Sequence, residues 1–381
     1  MIIGIDASNI RAGGGVTHLV ELLKAANPSL HQFDKVVVWG GTDTLGKIDD
    51  RSWLDKAYEP LLNHSLLHRA FWQTFRLKKL LKQASCDILF VPGGIDLSGF
   101  YPVLSMSQNL LPFEPKEILR YFGLSNMLRL LVIRIAQINT FKKSQGVVFL
   151  TLFARDAVLK ATGKLKCKNL IIPHGVSSKF FIPPHQHVKP VKFTFDRPCK
   201  ILYVSIIELY KHHSYVVEAV AKLRSLGIPV VLELIGPPGR GINKLYKAIN
   251  TFDSNREFVF YKGAIPYEQL HSLYASTDIG LFASSCETFG MILLEMMSAG
   301  LPIACSNRSA IPEISANAAI YFDPDSPDSI AAALFELINS PQLQEKLSLL
   351  SFQRAQQYSW EKCADMTFGF LSQTAADNLY K

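Results

Sequence analysis

The stretch ASSCETFGMILLEM, Ala283 to Met296, decides how this chain is read. It follows DIGLF, Asp278 to Phe282, whose apolar run predicts a buried strand. Small residues fill Ala283 to Cys286, and a helical period begins at Glu287, with Met291, Leu294 and Met297 at turn spacing. A strand-to-helix junction is therefore expected at Glu287, with the amides of Thr288, Phe289 and Gly290 among the unpaired donors of the first turn. Such an end attracts anions, phosphate above all. Glu295 lies about two helical turns further on, which puts it on the same side as Glu287. Two carboxylates placed so can grip two hydroxyl-bearing parts of one ligand, because an ionised carboxylate only accepts hydrogen bonds. A lone pair of glutamates at this spacing is also what any Glu-rich surface helix offers.

Working outward, the length of 381 residues suggests two domains, and an apolar content of 48% supplies an ordinary globular core. The opening MIIGIDASNI is short, carries Asp6 and lacks a basic lead-in, so no secretory leader is expected. The most apolar longer run, Leu124 to Phe141, is broken by Arg129 and Arg134 and falls short of the roughly 20 uncharged residues that span a bilayer. Six cysteines are scattered without a Cys-x-x-Cys pair, which argues against a metal cluster and fits free thiols in a reducing cytoplasm. The net charge of +8 is uneven: residues 1–182 hold 23 Lys and Arg against 13 Asp and Glu, and residues 183–381 hold 17 against 19. An anionic partner is expected for the first half.

Apolar strands are expected at residues 2–6, 35–39, 88–91, 103–106 and 146–150, then at 200–205, 230–236, 258–261, 278–282 and 302–306. Helical stretches alternate with them, as parallel, doubly wound sheets require. Arg11-Ala12-Gly13-Gly14-Gly15 lies between the first strand and a helix, where glycines let backbone amides approach a ligand. It is not a G-x-G-x-x-G dinucleotide fingerprint. Two stretches, 68–82 and 116–143, mix Lys and Arg with Phe, Trp, Tyr and Leu. They suit a lipid-water interface, or are helices packed on the sheet with solvated charges. No nucleic-acid-binding motif is present, so nucleic acid is not an expected partner. Residues 183–199, with three prolines before Lys192 and no clear period, read as a linker.

SSCETFGMILLEMMSAGLPIACS resembles the signature of the retaining family 4 glycosyltransferases, the glycosyl transferases group 1. That pattern runs Ser-x-x-Glu-x-Phe-Gly-x-x-x-Leu-Glu-x-Met-x-x-Gly-x-Pro. Ser284, Glu287, Phe289, Gly290, Leu294, Glu295, Met297, Gly300 and Pro302 fill its places. The resemblance covers residues 200–370 closely and 1–15 loosely. It implies the GT-B fold, an α/β architecture of two Rossmann-like doubly wound domains facing across a cleft. Residues 1–182 would form the acceptor-binding domain and 200–362 the nucleotide-sugar-binding domain. Residues 363–381 would form a helix returning to the first domain.

By the same resemblance Glu287 and Lys211 are the catalytic pair, with Lys211 on the diphosphate and Glu287 on the hydroxyl edge of the sugar. Glu295 would bind the ribose. Gly14, Gly15, Ser205 and the amides of Phe289, Gly290 and Met291 would complete the donor site. His18, Gln108 and Asn109 are the acceptor or sugar candidates, and His18 can equally be a packing residue. The family pattern has arginine where this chain has Ile206, and often a histidine where it has Gln108 and Asn109. No metal and no cofactor is expected, because no Asp-x-Asp ends a strand. The implied partners are a nucleotide-sugar donor, a saccharide or lipid-linked acceptor and an anionic membrane surface, in the cytoplasm or on the inner face of the plasma membrane. A sugar-nucleotide-binding relative without activity, an epimerase of the same architecture and an enzyme of the sucrose or glycogen synthase type stay open.

Overall fold

A computed structural model of the chain describes residues 1–121, 123–184 and 193–378. The contacts divide it into two units. The first comprises residues 1–118, 122–175 and 359–381; the second comprises 119–121 and 176–358.

The first unit is built on seven strands: β1 (Ile2–Asp6), β2 (Lys35–Gly40), β3 (Leu54–Tyr58), β4 (Ile88–Val91), β5 (Val103–Ser107), β6 (Gly146–Phe149) and β7 (Lys168–Ile171). Their order is β3-β2-β1-β4-β5-β6-β7, and every neighbouring pair is parallel. The second unit holds β8 (Cys199–Val204), β9 (Val230–Ile235), β10 (Val259–Tyr261), β11 (Ile279–Phe282), β12 (Ile303–Ser306) and β13 (Ala319–Phe322), ordered β10-β9-β8-β11-β12-β13 and again parallel. Both are doubly wound sheets. In each, the winding direction reverses between the first strand and the fourth, and ligands of such folds sit at that point beyond the strand carboxyl ends.

The strand sequences fit this burial. A parallel sheet covered on both faces favours continuous apolar runs over alternation. Ile88, Leu89 and Phe90 are wholly buried, as are Ile279 and Leu281. Three strands were not expected from sequence: β3, β7 and β13. The first of these, LDKAY, carries Asp55 and Lys56 on a sheet edge, where exposed charge blunts further pairing.

The expected helical block at 327–356 is two helices, Pro327–Asn339 and Pro341–Ala355. Ser340 separates them, its Oγ accepting from Leu343 N at 3.3 Å, with Pro341 starting the second helix. The last helix runs Trp360–Ala376, opens on a Ser359 cap and packs on the helix Gly14–Ala25 of the first unit. The expected boundaries shift accordingly. The first unit ends at Gly175 rather than at residue 182, and the chain rejoins it at Ser359 rather than at 363. Of the expected linker 183–199, residues 185–192 lie outside the described residues, and Cys199 already belongs to β8.

One glycine ties the strand ends of the second unit together. Gly236 follows β9 with φ of 147°, and a Cβ there would stand 1.9 Å from the Ser205 carbonyl oxygen. Both the conformation and the close approach demand glycine. Gly236→Ala is expected to cost about 1–3 kcal/mol, the usual size of such backbone strain, and to lower the melting temperature of the second unit by roughly 2–10 °C. Calorimetry of the purified variant checks this, and an unchanged transition would show that the Ser205 loop yields freely.

Candidate active site

In the second unit β8 and β11 are neighbours at the reversal point, with Ile279 opposite Ile201 and Gly280 opposite Leu202. The loops leaving them, 205–212 and 283–290, therefore emerge side by side. Between them Lys211 Nζ and Glu287 Oε1 form an ion pair whose side chains are only 9% and 17% exposed. The ammonium also lies 5.0 Å from the Phe282 ring centre and 5.4 Å from that of Tyr210. Aromatic faces and a carboxylate thus replace much of the water a lysine needs.

The loops are laced at several further points. Tyr203 Oη donates to the Lys211 carbonyl at 2.9 Å, and Ser285 N donates to the Tyr210 carbonyl at 2.9 Å. His212 sits in left-handed backbone (φ 54°), with its Nε2 2.8 Å from Ser285 Oγ. Burial lowers the His212 pKa to about 4, so the ring is neutral at pH 7. From the loop after β12, Ser309 Oγ accepts from Glu287 N at 2.8 Å and donates to the Glu287 carbonyl at 2.7 Å. Ser205, expected at the donor, is buried, with its Oγ 3.0 Å from His213 Nε2.

The helix does not begin at Glu287. Gly290 caps it with φ of 97°, and the helix runs Met291–Ser298. Glu287, Thr288 and Phe289 form the turn that precedes it. The reason is the glycine: positive φ breaks the right-handed helix that the apolar period suggests. Glu287 and Glu295 therefore do not share a helix face. Glu295, 3% exposed, accepts from Tyr267 Oη at 2.8 Å and from Tyr274 Oη at 3.1 Å. Two phenols compensate the desolvation of a buried carboxylate. The Phe289 side chain packs in the core against Tyr358, while Gly290 and Met291 stand at the helix start.

In the first unit Gly13, with φ of 64°, precedes the helix that Gly14 and Gly15 open. A Cβ on Gly15 would come within 3.6 Å of Gln108 Oε1, so Gly15 and Gln108 face one another. Gln108 Nε2 donates weakly to Met106 Sδ at 3.3 Å, and Asn109 is exposed, its Oδ1 accepting from Leu111 N at 3.3 Å. His18 is wholly buried, with Nδ1 3.0 Å from Nδ1 of His174 and its ring beside Trp360. His18, His174 and Cys363 bring ligand-type atoms within 4.8 Å of one another. The two Nδ1 atoms lie within hydrogen-bond distance, so one ring donates to the other, and the buried Nε2 of His18 meets no hydrogen-bond partner among the described residues.

Tyr203, Tyr267, Tyr274, Ser285 and Ser309 were not read from the sequence. Each meets its partner over a long separation in the chain or through a side chain that ordinary core positions also carry.

The two doubly wound parallel sheets, with Lys211 and Glu287 at the reversal point of the second, have the architecture of the GT-B fold. The family model for glycosyl transferases group 1 matches residues 186–349. Sucrose-phosphate synthase from Thermosynechococcus elongatus superposes with a TM-score of 0.79 over 99% of this chain and 100% of that one, at 16% identity. O-antigen chain mannosyltransferase B of Escherichia coli is 27% identical over 259 residues, 67% of this chain. A GDP-mannose-dependent alpha-(1-6)-phosphatidylinositol dimannoside mannosyltransferase of Mycobacterium tuberculosis is 26% identical over 233 residues, 60% of this chain. The matched regions span 65% and 58% of these two relatives, less than two thirds of either.

The histidine pair makes the first unit sensitive to acid. Burial lowers the His18 pKa from near 6.5 to about 3, and His174 is lowered by burial and by His18. A depressed folded pKa gives stability that is complete above pH 6.5 and is lost as pH falls toward 3. His18→Gln, neutral at every pH, should flatten the slope of stability between pH 6.5 and 3, measured by urea unfolding at stepped pH. An unchanged slope would exclude His18 as a titrating group in that window.

Proposed function

We propose that the protein transfers a hexose-type sugar, of the mannose, rhamnose or glucose class, from a nucleotide-sugar donor to a saccharide or lipid-linked acceptor with retention of anomeric configuration. The setting is cytoplasmic synthesis of cell-surface polysaccharide or lipopolysaccharide. The observation that carries this is the Lys211–Glu287 pair at the reversal point of the second unit. Similarity to two mannosyltransferases supports a donor of the mannose class.

The chemistry follows from the geometry. As the bond between the anomeric carbon and the diphosphate breaks, negative charge grows on the leaving oxygen. Lys211 supplies a fixed positive charge for it without reorganising water. An ammonium has three donors, so Lys211 can keep Glu287 and still meet a phosphate. Glu287 accepts from sugar hydroxyls, Glu295 from ribose hydroxyls, and the helix start at Gly290 and Met291 adds backbone donors. The acceptor hydroxyl forms the new bond to the anomeric carbon, and its proton passes to the departing phosphate. The charge is met by Lys211 and backbone amides, so the reaction needs no divalent metal.

The acceptor reading rests on the surface of the first unit. Leu66, Leu67, Phe71 and Phe75 are exposed alongside Arg76, Lys78, Lys79 and Lys82. On the helix Leu124–Lys143, Met127, Leu128, Leu131, Val132 and Ile135 are exposed beside Arg129. No helix among the described residues is long and apolar enough to cross a membrane. Apolar side chains flanked by cations suit the headgroup layer of an anionic membrane.

The direct test is turnover of purified protein across GDP, UDP, ADP and dTDP sugars, with excess chelator present. Activity in chelator is expected. Glu287→Gln should lose nearly all kcat, and Glu295→Gln should chiefly raise the donor KM. Lys211→Ala should cost about 3–4 kcal/mol in the barrier. Donor binding without any transfer would favour an inactive sugar-nucleotide-binding relative, and sugar-nucleotide isomerisation an epimerase.

Co-sedimentation with vesicles checks the surface. Binding should rise with the anionic lipid fraction and fall with salt, each Lys or Arg near the membrane contributing on the order of 1 kcal/mol. Binding indifferent to both would leave residues 68–82 and 116–143 as packing helices.

A further inference from the structure

Ser309 is the one side chain among the hydrogen bonds above that grips Glu287 through its backbone rather than its carboxylate. It comes from the loop after β12, and its single hydroxyl accepts from the Glu287 N–H at 2.8 Å and donates to the Glu287 carbonyl at 2.7 Å. A hydroxyl can do both at once, because it has one proton and two lone pairs. The bracket lies across a stretch that has no regular structure of its own: Ala283 to Gly290 is neither strand nor helix. Ser285 ties the start of that stretch to Tyr210 and His212, Phe289 seats its end in the core, and Ser309 holds the Glu287 peptide between them.

The conformation of Ser309 itself supports a placed role. Its φ is 60°, in the left-handed region that non-glycine residues seldom occupy. Glycine would adopt it without strain but has no hydroxyl. Arg308, beside it, has its N–H on Ser306 Oγ at 3.1 Å and its guanidinium on Asp323. The loop is therefore anchored on both β12 and the segment after β13, and the hydroxyl is presented from a fixed base.

We propose that Ser309 is a positioning residue for sugar transfer, holding the Glu287 peptide so that its carboxylate meets Lys211 and the sugar at a fixed angle. This rests on the reading of Glu287 given under Proposed function. Ser309 need touch neither substrate. Its effect is on the geometry of Glu287, and misplacement by about an ångström can cost up to a hundredfold in rate.

The test compares Ser309→Gly with Ser309→Ala. Both remove the hydroxyl, and only glycine relieves the left-handed backbone. If the hydroxyl positions Glu287, both variants lose kcat by roughly ten- to a hundredfold with little change in donor KM, and the glycine variant melts no lower than the alanine one. Wild-type kcat in Ser309→Gly overturns the proposal. So does a rise in donor KM alone.

A second measurement does not depend on turnover. The coupling between Lys211→Met and Glu287→Gln, taken from a double-mutant cycle in unfolding stability, should shrink in the Ser309→Gly background. An unchanged coupling also overturns the proposal. Absence of transfer from every donor by the wild-type protein, with that coupling still dependent on Ser309, would instead count against the transferase reading while upholding the role of Ser309.

Discussion

Two opposite charges share a largely buried place between the ends of β8 and β11, and the second unit is arranged to make that tolerable. Taking an ammonium and a carboxylate out of water is costly, and the pair compensates only if both partners stay and their remaining groups are met. Phe282 and Tyr210 supply aromatic faces to Lys211, Tyr203 holds its carbonyl, and Ser309 holds the Glu287 peptide. The partners lie 76 residues apart in the chain. They meet because parallel winding returns β11 to the side of β8, opposite β9. The topology is thus a condition for the charge pair. If one partner is removed, the other is left as an unpaired charge, so substitutions here act on stability as well as on rate.

Most of the architecture could be read in the apolar runs, because strands buried on both faces must be continuous in Ile, Val, Leu and Phe. The strands that escaped notice are those where this constraint relaxes. β3 and β13 are edge strands, and LDKAY and AIYF are short and only partly buried. Helix boundaries failed for a different reason. Apolar period alone carried the helix back to Glu287, whereas the backbone at Gly290, with its positive φ, decides the start. Lys211 and Glu287 stood out because a family pattern names them, not because isolated Lys or Glu residues announce chemistry. Tyr267, Tyr274 and Ser309 carried no such mark. A tyrosine or serine becomes a partner of Glu295 or Glu287 only once the sheet has placed loops from different strands together.

The two units share one winding pattern and treat its reversal point in opposite ways. In the first, β1 ends at Asp6 and β4 is followed by Gly93, Gly94 and Ile95. Gln73 reaches into that gap from a π-helical turn, Gln73–Leu77, and donates to Asp6, to Ser8 Oγ at 3.1 Å and to the Ile95 carbonyl at 3.0 Å. Gln73 is 1% exposed, and burial raises the Asp6 pKa to about 6. A neutral amide over a carboxylate occupies the reversal point there. In the second unit the same point carries the Lys211–Glu287 ion pair instead. Position in the fold is equal in the two, and the side chains at the strand ends differ. One fold position thus holds a buried amide on a carboxylate in the first unit and a buried ion pair in the second, because the loops after the strand ends bring different side chains to it.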